Sequence, residues 1–345
     1  MFLEQLGADA RVREIFRPYE AAEVELGRVS FAAHEQYRLY RERGECEAAP
    51  AGRLRWEDAL PAVGDWVAAR LVAPGLAWIE AVLPRRTRFS RRAPGAAQAE
   101  QVIAANVDLA LVVCGLDGDF SLRRLERYLV LSRESGAAAA IALNKADLCP
   151  DAAARRESVA RLAPASPVVL LSATRGVDPL RELVRGRTVV LLGSSGAGKS
   201  TIANALLGCG RLATRPVRPS DSRGRHATTS RMLMPLPGGG ALIDTPGLRE
   251  LQLWAGDDSL GEVFSEITAL AAECRFGDCT HTGEPGCAVA QALARGEIDE
   301  SRWNSFRKLG AELRRQAARD VPASLAERRK WKAIHKTIRR RPGRR

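Results

Sequence analysis

The chain contains a run of β-branched residues that ends in a glycine-rich loop, RTVVLLGSSGAGKS (residues 187–200), and this run constrains the fold more than any other stretch. Gly193, Gly198 and the pair Lys199–Ser200 follow the G-x-x-x-x-G-K-S spacing of a phosphate-binding P-loop. In such a loop, backbone N–H groups converge on phosphate oxygens, the lysine reaches the β- and γ-phosphates, and the serine hydroxyl can ligate Mg²⁺. A strand before the loop and a helix after it are both predicted, which disfavours a chance glycine-rich turn. The predicted phosphate-binding residues are Gly193, Ser194, Ser195, Gly196, Ala197, Gly198, Lys199, Ser200 and Thr201.

Two further motifs precede this loop, and each follows an apolar run typical of a strand. Asn144, Lys145 and Asp147 spell N-K-x-D, with which GTPases recognise guanine, because the carboxylate accepts hydrogen bonds from N1 and the exocyclic amine of the base. Adenine lacks this donor pair, so ATP would leave the acid unpaired. Ser172 and Ala173 form an S-A pair whose backbone N–H is expected to contact the guanine O6. Together the motifs predict a GTP-binding α/β domain with a mostly parallel sheet.

The segment after the P-loop predicts the groups that contact Mg²⁺ and the γ-phosphate. The run ALIDTPG ends in D-x-P-G, so Asp244 is expected to hold Mg²⁺ through water and the Gly247 N–H to contact the γ-phosphate. The polar stretch at residues 211–231 has the composition of a loop. Thr228 or Thr229 lies there at the place where a GTPase offers a threonine to Mg²⁺, and the sequence does not choose between them. The predicted magnesium ligands are Ser200, Asp244 and one of Thr228 and Thr229.

The order of the motifs and the residue after D-T-P-G are both unusual. The guanine-binding motifs precede the P-loop, whereas a Ras-like GTPase has them after it, so the order indicates a circular permutation. Leu248 occupies the position at which a Ras-like enzyme has a water-orienting glutamine, and leucine can neither donate nor accept a hydrogen bond. His226, in the preceding loop, is the nearest candidate for a catalytic group, and a role in contacting a partner is an equal alternative.

Residues 22–99 contain short β-like runs separated by turns, namely EVELGRVSFAA, EQYRLYRE, GDWVAARLV and LAWIEAVLP. No helical run is long enough to alternate with them, so they predict a small antiparallel barrel of the oligonucleotide-binding (OB) type. RNA contact by this barrel is favoured by an arginine cluster that consists of Arg85, Arg86, Arg88, Arg91 and Arg92. A barrel used only for packing and a solvated charged face for the arginines are the alternatives.

A second motif that predicts bound metal lies in the run CRFGDCTHTGEPGC, where four potential ligands fall within fourteen residues. These ligands are Cys274, Cys279, His281 and Cys287. Three thiolates and one imidazole suit a closed, tetrahedral structural zinc site. A catalytic zinc site is less expected, because these four ligands leave no coordination position open for water or substrate. Because the spacing is not a common zinc-finger spacing, a set of reduced cysteines without metal is the alternative.

Charge and composition limit the class of protein. The net charge is +12, and residues 302–345 contain 16 Lys and Arg against three acids, which is typical of a segment that binds a polyanion. No apolar run approaches the about 18 residues of a membrane-spanning helix, and the N-terminus lacks a signal-peptide core, so we expect a cytoplasmic protein that does not bind membranes. Seven cysteines favour free thiols over a disulfide framework. Those outside the metal motif are interpreted as ordinary core or surface thiols: Cys46, Cys114, Cys149 and Cys209.

Together these residues closely resemble the circularly permuted, ribosome small-subunit-dependent GTPase family known as RsgA or YjeQ. The resemblance covers nearly the whole chain, through the barrel, N-K-A-D, S-A, G-S-S-G-A-G-K-S, G-R-H-x-T-T, D-T-P-G-L and C-x4-C-x-H-x5-C. It implies a GTPase of late small-subunit assembly that binds ribosomal RNA and GTP or GDP and is stimulated by the subunit. It also implies Mg²⁺, one structural Zn²⁺ per chain, a hydrophobic residue at Leu248 and a catalytic role for His226. Ala227 departs from the family, in which a third threonine is frequent there.

The expected fold is a circularly permuted α/β P-loop GTPase domain, flanked by an N-terminal all-β OB-type barrel and a C-terminal helical zinc-binding domain. The expected segments are an N-terminal extension (1–21), the barrel (22–99), the GTPase domain (100–255), the zinc-binding domain (256–310) and a basic helix and tail (311–345). We expect a monomer. The alternative is an RNA-binding or RNA-chaperone protein in which GTP is mainly a regulatory ligand. A permuted GTPase acting on the large subunit is a further alternative, and only the family resemblance argues against it.

Overall fold

The structure is a computed structural model in which two units can be distinguished, Met1–Gln252 and Leu253–Arg345. It describes residues 2–20, 23–33, 36–56, 59–92, 100–210, 231–244 and 257–320. Within these ranges, none of the helices combines the length and the apolar character needed to cross a membrane.

The N-terminal segment forms two short helices, α1 (Phe2–Gln5) and α2 (Ala10–Phe16), followed by one 3₁₀ turn. The Asp9 side chain caps α2 by accepting a 2.9 Å hydrogen bond from the Val12 N–H, which satisfies one of the free donors at the start of a helix. Leu3 and Leu6 are almost completely buried. The segment is therefore packed into the first unit.

Five strands form the predicted barrel: β1 (Val24–Ala33), β2 (Gln36–Arg41), β3 (Gly44–Pro50), β4 (Trp66–Ala73) and β5 (Leu76–Val82). They pair in the order β1-β2-β3-β5-β4, and β4 returns to β1 to close the barrel. All pairs are antiparallel except β3 with β5, which run parallel, so the fully antiparallel barrel expected from the sequence has one parallel pair. A short helix, α3 (Gly52–Trp56), follows β3. Five strands in this order form the OB-type barrel.

An α/β layer follows the hairpin of β6 (Arg88–Arg92) and β7 (Glu100–Ala105). Its strands are β8 (Leu109–Gly115), β9 (Ala138–Asn144), β10 (Val168–Leu170), β11 (Thr188–Leu192), β12 (Arg231–Pro235) and β13 (Ala241–Asp244). Its helices are α4 (Leu122–Ser135), α5 (Ala152–Leu162), α6 (Asp178–Val184) and α7 (Lys199–Leu207). The order is β10-β9-β8-β11-β13-β12, with parallel pairs except for β12. Every residue of β8 is buried, as expected for a parallel strand covered on both faces.

The barrel and the α/β layer share one sheet. The outer strand β12 pairs with β13 on one side and with the end of β1 on the other, where Phe31 pairs with Met232 and Ala32 with Arg231. The strand that starts the barrel therefore also extends the sheet of the nucleotide-binding fold.

The second unit is helical: α8 (Asp257–Val263), α9 (Ser265–Ala272), α10 (Ala288–Ala294) and α11 (Glu300–Asp320). Its centre contains a cluster of three aromatic rings, in which the centroids of the Phe264 and Trp303 rings lie 5.5 and 5.7 Å from the centroid of the Phe306 ring. The buried Leu309 and Leu313 continue the same side of α11, at the spacing of one helix face. Of the basic helix and tail expected at residues 311–345, the first ten residues belong to α11, and residues 321–345 lie outside the described residues.

A buried arginine joins the barrel to the α/β layer. Arg28, in β1, is 1% exposed, and its guanidinium donates to the Thr188 hydroxyl (2.8 Å) and to the backbone carbonyls of Leu6, Gly64 and Asn106. Burial lowers the pKa of Arg28 from its ordinary value to about 10, so the group still has its charge at neutral pH. These hydrogen bonds connect the N-terminal segment, the barrel and strand β11.

We expect Arg28→Met to lower the free energy of unfolding by about 3 kcal/mol, because methionine leaves several buried carbonyls without a donor. Arg53→Met is the matched control, since Arg53 makes one exposed hydrogen bond to the Glu80 carbonyl (3.2 Å) and its loss should cost less than about 0.5 kcal/mol. Urea unfolding of both variants measures the difference. Equal losses would show that the buried network does not join the two parts.

Candidate nucleotide-binding site and metal centre

The P-loop connects β11 to α7 and requires glycine at two positions. Gly193 has a φ of +139°, and a Cβ on it would lie 2.2 Å from the Val113 carbonyl oxygen. Gly198 has a φ of +101°, and a Cβ there would lie 2.1 Å from Nδ2 of Asn144. No side chain fits at these distances, so the loop packs directly against the ends of β8 and β9.

The Asn144 side chain connects the P-loop to both guanine motifs. Its Nδ2 donates to the Ala197 carbonyl (2.9 Å), and its Oδ1 accepts from the Ala173 N–H (2.9 Å). Asn144 is 3% exposed. The structure thus brings together three motifs that the sequence predicted for one site, although they are far apart in the chain.

The predicted base-binding carboxylate is oriented by the S-A pair. The Ser172 hydroxyl donates to Asp147 Oδ1 (2.6 Å) and accepts from the Asp147 N–H (3.1 Å). The hydrogen bond from Ser172 lowers the pKa of Asp147 below its usual value, so the group is an ionised acceptor at neutral pH. The Ala173 N–H, predicted to contact the base, donates to Asn144 in this structure.

Two lysines of the predicted site contact neighbouring loops. Lys199 Nζ donates to the carbonyl of Gly193 (2.7 Å) and to that of Ser194, so it crosses the P-loop. Lys145 has left-handed backbone angles (φ 63°, ψ 35°), and its Nζ forms an ion pair with Asp117. Partial burial is the largest single effect and raises the pKa of Asp117, but the hydrogen bonds from Lys145 and from the Asp119 N–H, together with the charge of Lys145, outweigh it, and the pKa lies below its usual value.

The loop between β8 and α4, residues 116–121, also contributes to the site, although no sequence motif predicted it. Asp119 in this loop accepts a hydrogen bond from the Ser194 hydroxyl of the P-loop and pairs with Arg124. The available signal was the position of G-L-D-G-D directly after a buried strand. Since ligands bind at the carboxyl ends of parallel strands, acids there are candidates for the site.

The residues predicted to hold Mg²⁺ are described in part. Ser200 lies in the first turn of α7, and Asp244 ends β13, which pairs in parallel with the P-loop strand β11. Both therefore lie at the same edge of the sheet, which fits a magnesium site at the phosphate end. The other predicted residues of this region lie outside the described residues: His226, Thr228, Thr229, Gly247 and Leu248.

In the second unit, the four ligand atoms of the predicted metal motif lie within 4.8 Å of one another. Cys274 Sγ is 3.9 Å from Cys287 Sγ, and both lie 3.5 Å from Nδ1 of His281. Sulfur and nitrogen ligands at about 2.3 and 2.0–2.1 Å from zinc are about 3.5–3.8 Å apart at the corners of a tetrahedron. The Cys274, Cys279, His281 and Cys287 cluster therefore fits one Zn²⁺, with Nδ1 as the histidine ligand.

Thiols of this cluster differ in acidity. Cys287 caps the N-terminus of α10, where its Sγ accepts from the Ala290 N–H (3.3 Å). Desolvation is the largest single effect and raises the pKa of Cys274, but hydrogen bonds from backbone amides at the start of α10, such as that of Val289, and from the neighbouring thiols together outweigh it and lower the pKa. Desolvation and the neighbouring thiols raise the pKa of Cys279 to about 11. Metal binding must therefore release protons, above all from Cys279.

The arginine cluster predicted for RNA contact is partly built into the fold. Arg85 donates two hydrogen bonds to Asp65 (2.8 and 2.7 Å), and the Asp65 side chain is fully buried. Arg86 forms an ion pair with Asp9 (2.8 Å). Arg88, with a side chain 61% exposed, remains at the surface. Arg85 is thus held in the fold, because a buried carboxylate requires a partner.

A family model described as RsgA GTPase matches residues 82–254 of this chain. A relative from Opitutus terrae, named small ribosomal subunit biogenesis GTPase RsgA, is 50% identical over 97% of this chain and 96% of its own length. A protein of the same name from Syntrophotalea carbinolica is 42% identical over the same shares. The chain belongs to the RsgA GTPase family.

Solved structures agree with this assignment. YjeQ from Thermotoga maritima is 27% identical, with a TM-score of 0.65 over 84% of this chain and 98% of that chain. YloQ, described as a circularly permuted GTPase, is 22% identical, with a TM-score of 0.61 over 85% and 96% of the two chains, and supports the fold. The predicted permuted GTPase fold with its two flanking parts is confirmed. Strands β8, β9 and β10 precede the P-loop strand β11 in the chain and all lie on one side of it in the sheet, where β8 pairs with it directly.

We expect Gly198→Ala to lower the free energy of unfolding by about 3 kcal/mol, because its Cβ would occupy the position of Asn144 Nδ2 and its φ is unfavourable for alanine. Gly208→Ala is the control: its φ is +69°, and no atom lies within 4 Å of the new Cβ, so only the backbone cost of about 1 kcal/mol remains. Denaturant unfolding compares the two variants. A loss at Gly198 no larger than that at Gly208 would contradict the close approach of Asn144.

Proposed function

We propose that this RsgA GTPase hydrolyses GTP to GDP and phosphate in the late assembly of the small ribosomal subunit, that it binds RNA of that subunit, and that the subunit stimulates its turnover. The observation that carries the proposal is the Asn144 side chain, which is hydrogen bonded to the P-loop and to the S-A pair at once. The name of the Opitutus terrae relative supports the choice of partner.

In this proposal Asp147 accepts hydrogen bonds from N1 and the exocyclic amine of guanine, which adenine cannot donate. Its support is the Ser172 hydroxyl, whose 2.6 Å hydrogen bond orients the carboxylate and keeps it ionised. The Ser172–Ala173 backbone would face the O6 edge of the same base. Backbone amides of the P-loop, together with Lys199, Ser200 and Thr201 at the start of α7, would bind the phosphates.

We further propose that Ser200 and Asp244 hold Mg²⁺, Asp244 through water, together with Thr228 or Thr229. When bound, the ion would neutralise charge on the β- and γ-phosphate oxygens. The Gly247 N–H would contact the γ-phosphate. His226 is the proposed catalytic group, because Leu248 offers no hydrogen bond to an attacking water. A role of His226 in contacting the ribosome is the alternative.

The proposed metal in the second unit is one structural Zn²⁺, bound by three sulfurs and His281 Nδ1. Support comes from the ligand distances and from the Trp303 ring, whose centroid lies 5.9 Å from that of His281 and which packs against the histidine from α11. Bound zinc would fix the long loop between α9 and α10, which contains no other regular element among the described residues.

The partner surface in this proposal includes the exposed members of the arginine cluster and the basic residues 302–345, which suit phosphate contacts without base specificity. We propose that the protein acts in the cytoplasm as a monomer. All seven cysteines are free thiols in the structure, which is consistent with a reducing compartment.

The alternative function is an RNA-binding protein or RNA chaperone in which GTP regulates binding. The observation that favours it is Leu248, since a GTPase without the usual glutamine hydrolyses slowly unless a partner or another residue supplies the missing group.

Phosphate release from GTP separates the two functions. We expect slow turnover by the purified protein alone and about a tenfold or larger increase with purified small subunits, because the partner completes the hydrolytic site. Large subunits at equal concentration are the control and should stimulate less. His226→Ala should lose the stimulated turnover while it binds GDP normally. Turnover that small subunits do not change would favour the RNA-binding alternative, and full turnover by His226→Ala would favour a contact role.

We expect Cys279→Ser to reduce bound zinc from about one ion per chain to a small fraction, because three ligands bind the ion much more weakly than four. Metal analysis of purified protein measures the content, and heat denaturation should show a loss of stability in the same variant. Cys209→Ser is the control, since Cys209 is an exposed thiol outside the cluster. Zinc retained in full by Cys279→Ser would rule out the proposed ligand set.

A further inference from the structure

The loop at residues 116–121 contacts both ends of the proposed nucleotide site, although it belongs to none of the predicted motifs. It follows β8, the strand that lies between the N-K-x-D strand β9 and the P-loop strand β11. Its first residue is fixed on β9, since the Leu116 N–H donates to the Asn144 carbonyl (2.8 Å). The loop is therefore anchored on the residue that begins the guanine motif.

Asp117 is the member of this loop at the base end. Its carboxylate forms an ion pair with Nζ of Lys145, and the two side chains are only 33% and 22% exposed. Lys145 has three rotatable donors and a flexible stem, so without a partner its ammonium group would sample many positions. Partial burial makes this charged hydrogen bond stronger than one at the open surface.

Asp119 connects the same loop to the phosphate end. It accepts from the Ser194 hydroxyl in the P-loop, and Arg124 in α4 pairs with the same carboxylate. The Asp119 N–H in turn donates to Asp117 Oδ1 (3.3 Å), so the two acids are connected within the loop. A displacement of Asp117 would thus alter contacts at both the base end and the phosphate end of the site.

We propose that Asp117 is a positioning residue for guanine nucleotide binding, which acts by fixing the Lys145 ammonium group beside the base-binding motif. The inference rests on the proposed function, because it assigns the N-K-x-D segment to guanine. Asp117 does not contact the nucleotide in this scheme. Asp117 orders the Lys145 side chain before the nucleotide binds. Less side-chain conformational entropy is then lost on binding, so Asp117 raises the affinity for GTP and GDP alike.

A double-mutant cycle in nucleotide affinity tests this proposal. We expect Asp117→Asn, which keeps the shape but removes the charge, to weaken GDP and GTP binding about tenfold in the otherwise unaltered chain. In a Lys145→Ala background the same change should alter affinity less than about twofold, because the residue through which it acts is gone. Fluorescent GDP and GTP analogues give both dissociation constants.

Three controls accompany the cycle. Asp117→Glu keeps the carboxylate and should recover most of the lost affinity. Glu182→Gln removes an equal charge from an exposed ion pair with Arg185 and should not change affinity. The melting temperature of each variant without nucleotide should stay within a few degrees of that of the unaltered protein, and Asp117→Glu tests the proposal even if Asp117→Asn folds poorly.

Nucleotide affinity of Asp117→Asn within twofold of the unaltered protein would overturn the inference. An equal loss in both backgrounds would overturn it too, since Asp117 would then act without Lys145. If the proposed function itself were wrong, the result would differ from both of these outcomes. The unaltered protein would then not bind guanine nucleotides, or small subunits would not change its turnover.

Discussion

The two hydrogen bonds of the Asn144 amide hold the nucleotide site together. One joins the end of β9 to the P-loop, and the other joins it to the segment after β10. Because the amide is buried, the loss of either partner would leave a polar group without compensation, at a cost of about 1–3 kcal/mol. Spatial contacts of this kind do not depend on the order in which the chain supplies the segments. A circular permutation can therefore keep the site intact, provided that the same strands still pair.

Much of the α/β layer could be predicted, because its strands are continuous apolar runs and its loops contain motifs with fixed spacing. Strand β3 (Gly44–Pro50) could not, since GECEAAP contains no β-branched or aromatic residue and is a strand only through its pairing with β2 and β5. Helix α5 was missed for a similar reason, because its apolar residues show little periodicity. The domain boundaries at residues 22, 100, 256 and 311 stay predictions.

At the candidate sites, residue identity could be predicted better than residue environment. The spacing of the cysteines and His281 indicated a metal centre, but it did not reveal that Nδ1 of His281 lies 3.5 Å from the Cys274 and Cys287 sulfurs. Asp117 and Asp119 belong to no motif with fixed spacing, and only their position directly after the buried strand β8 indicates a role. The arginine cluster shows the same limit: the run of basic residues predicts a binding surface, but one member, Arg85, pairs with the buried Asp65. Sequence spacing does not reveal such distant partners.

The pairing of β1 with β12 has a consequence for how the chain folds. Phe31 in β1 pairs with Met232 in β12, a residue roughly two hundred positions later in the chain. The end of β1 therefore stays unpaired until β12 has been synthesised, and such long-range pairing slows folding. During synthesis on a ribosome, the barrel can close before the P-loop strand exists, because all five of its strands lie in the first 82 residues. The finished barrel then offers one unpaired edge as a template on which the last strands of the sheet assemble. Until they do, that edge is open to pairing with other chains.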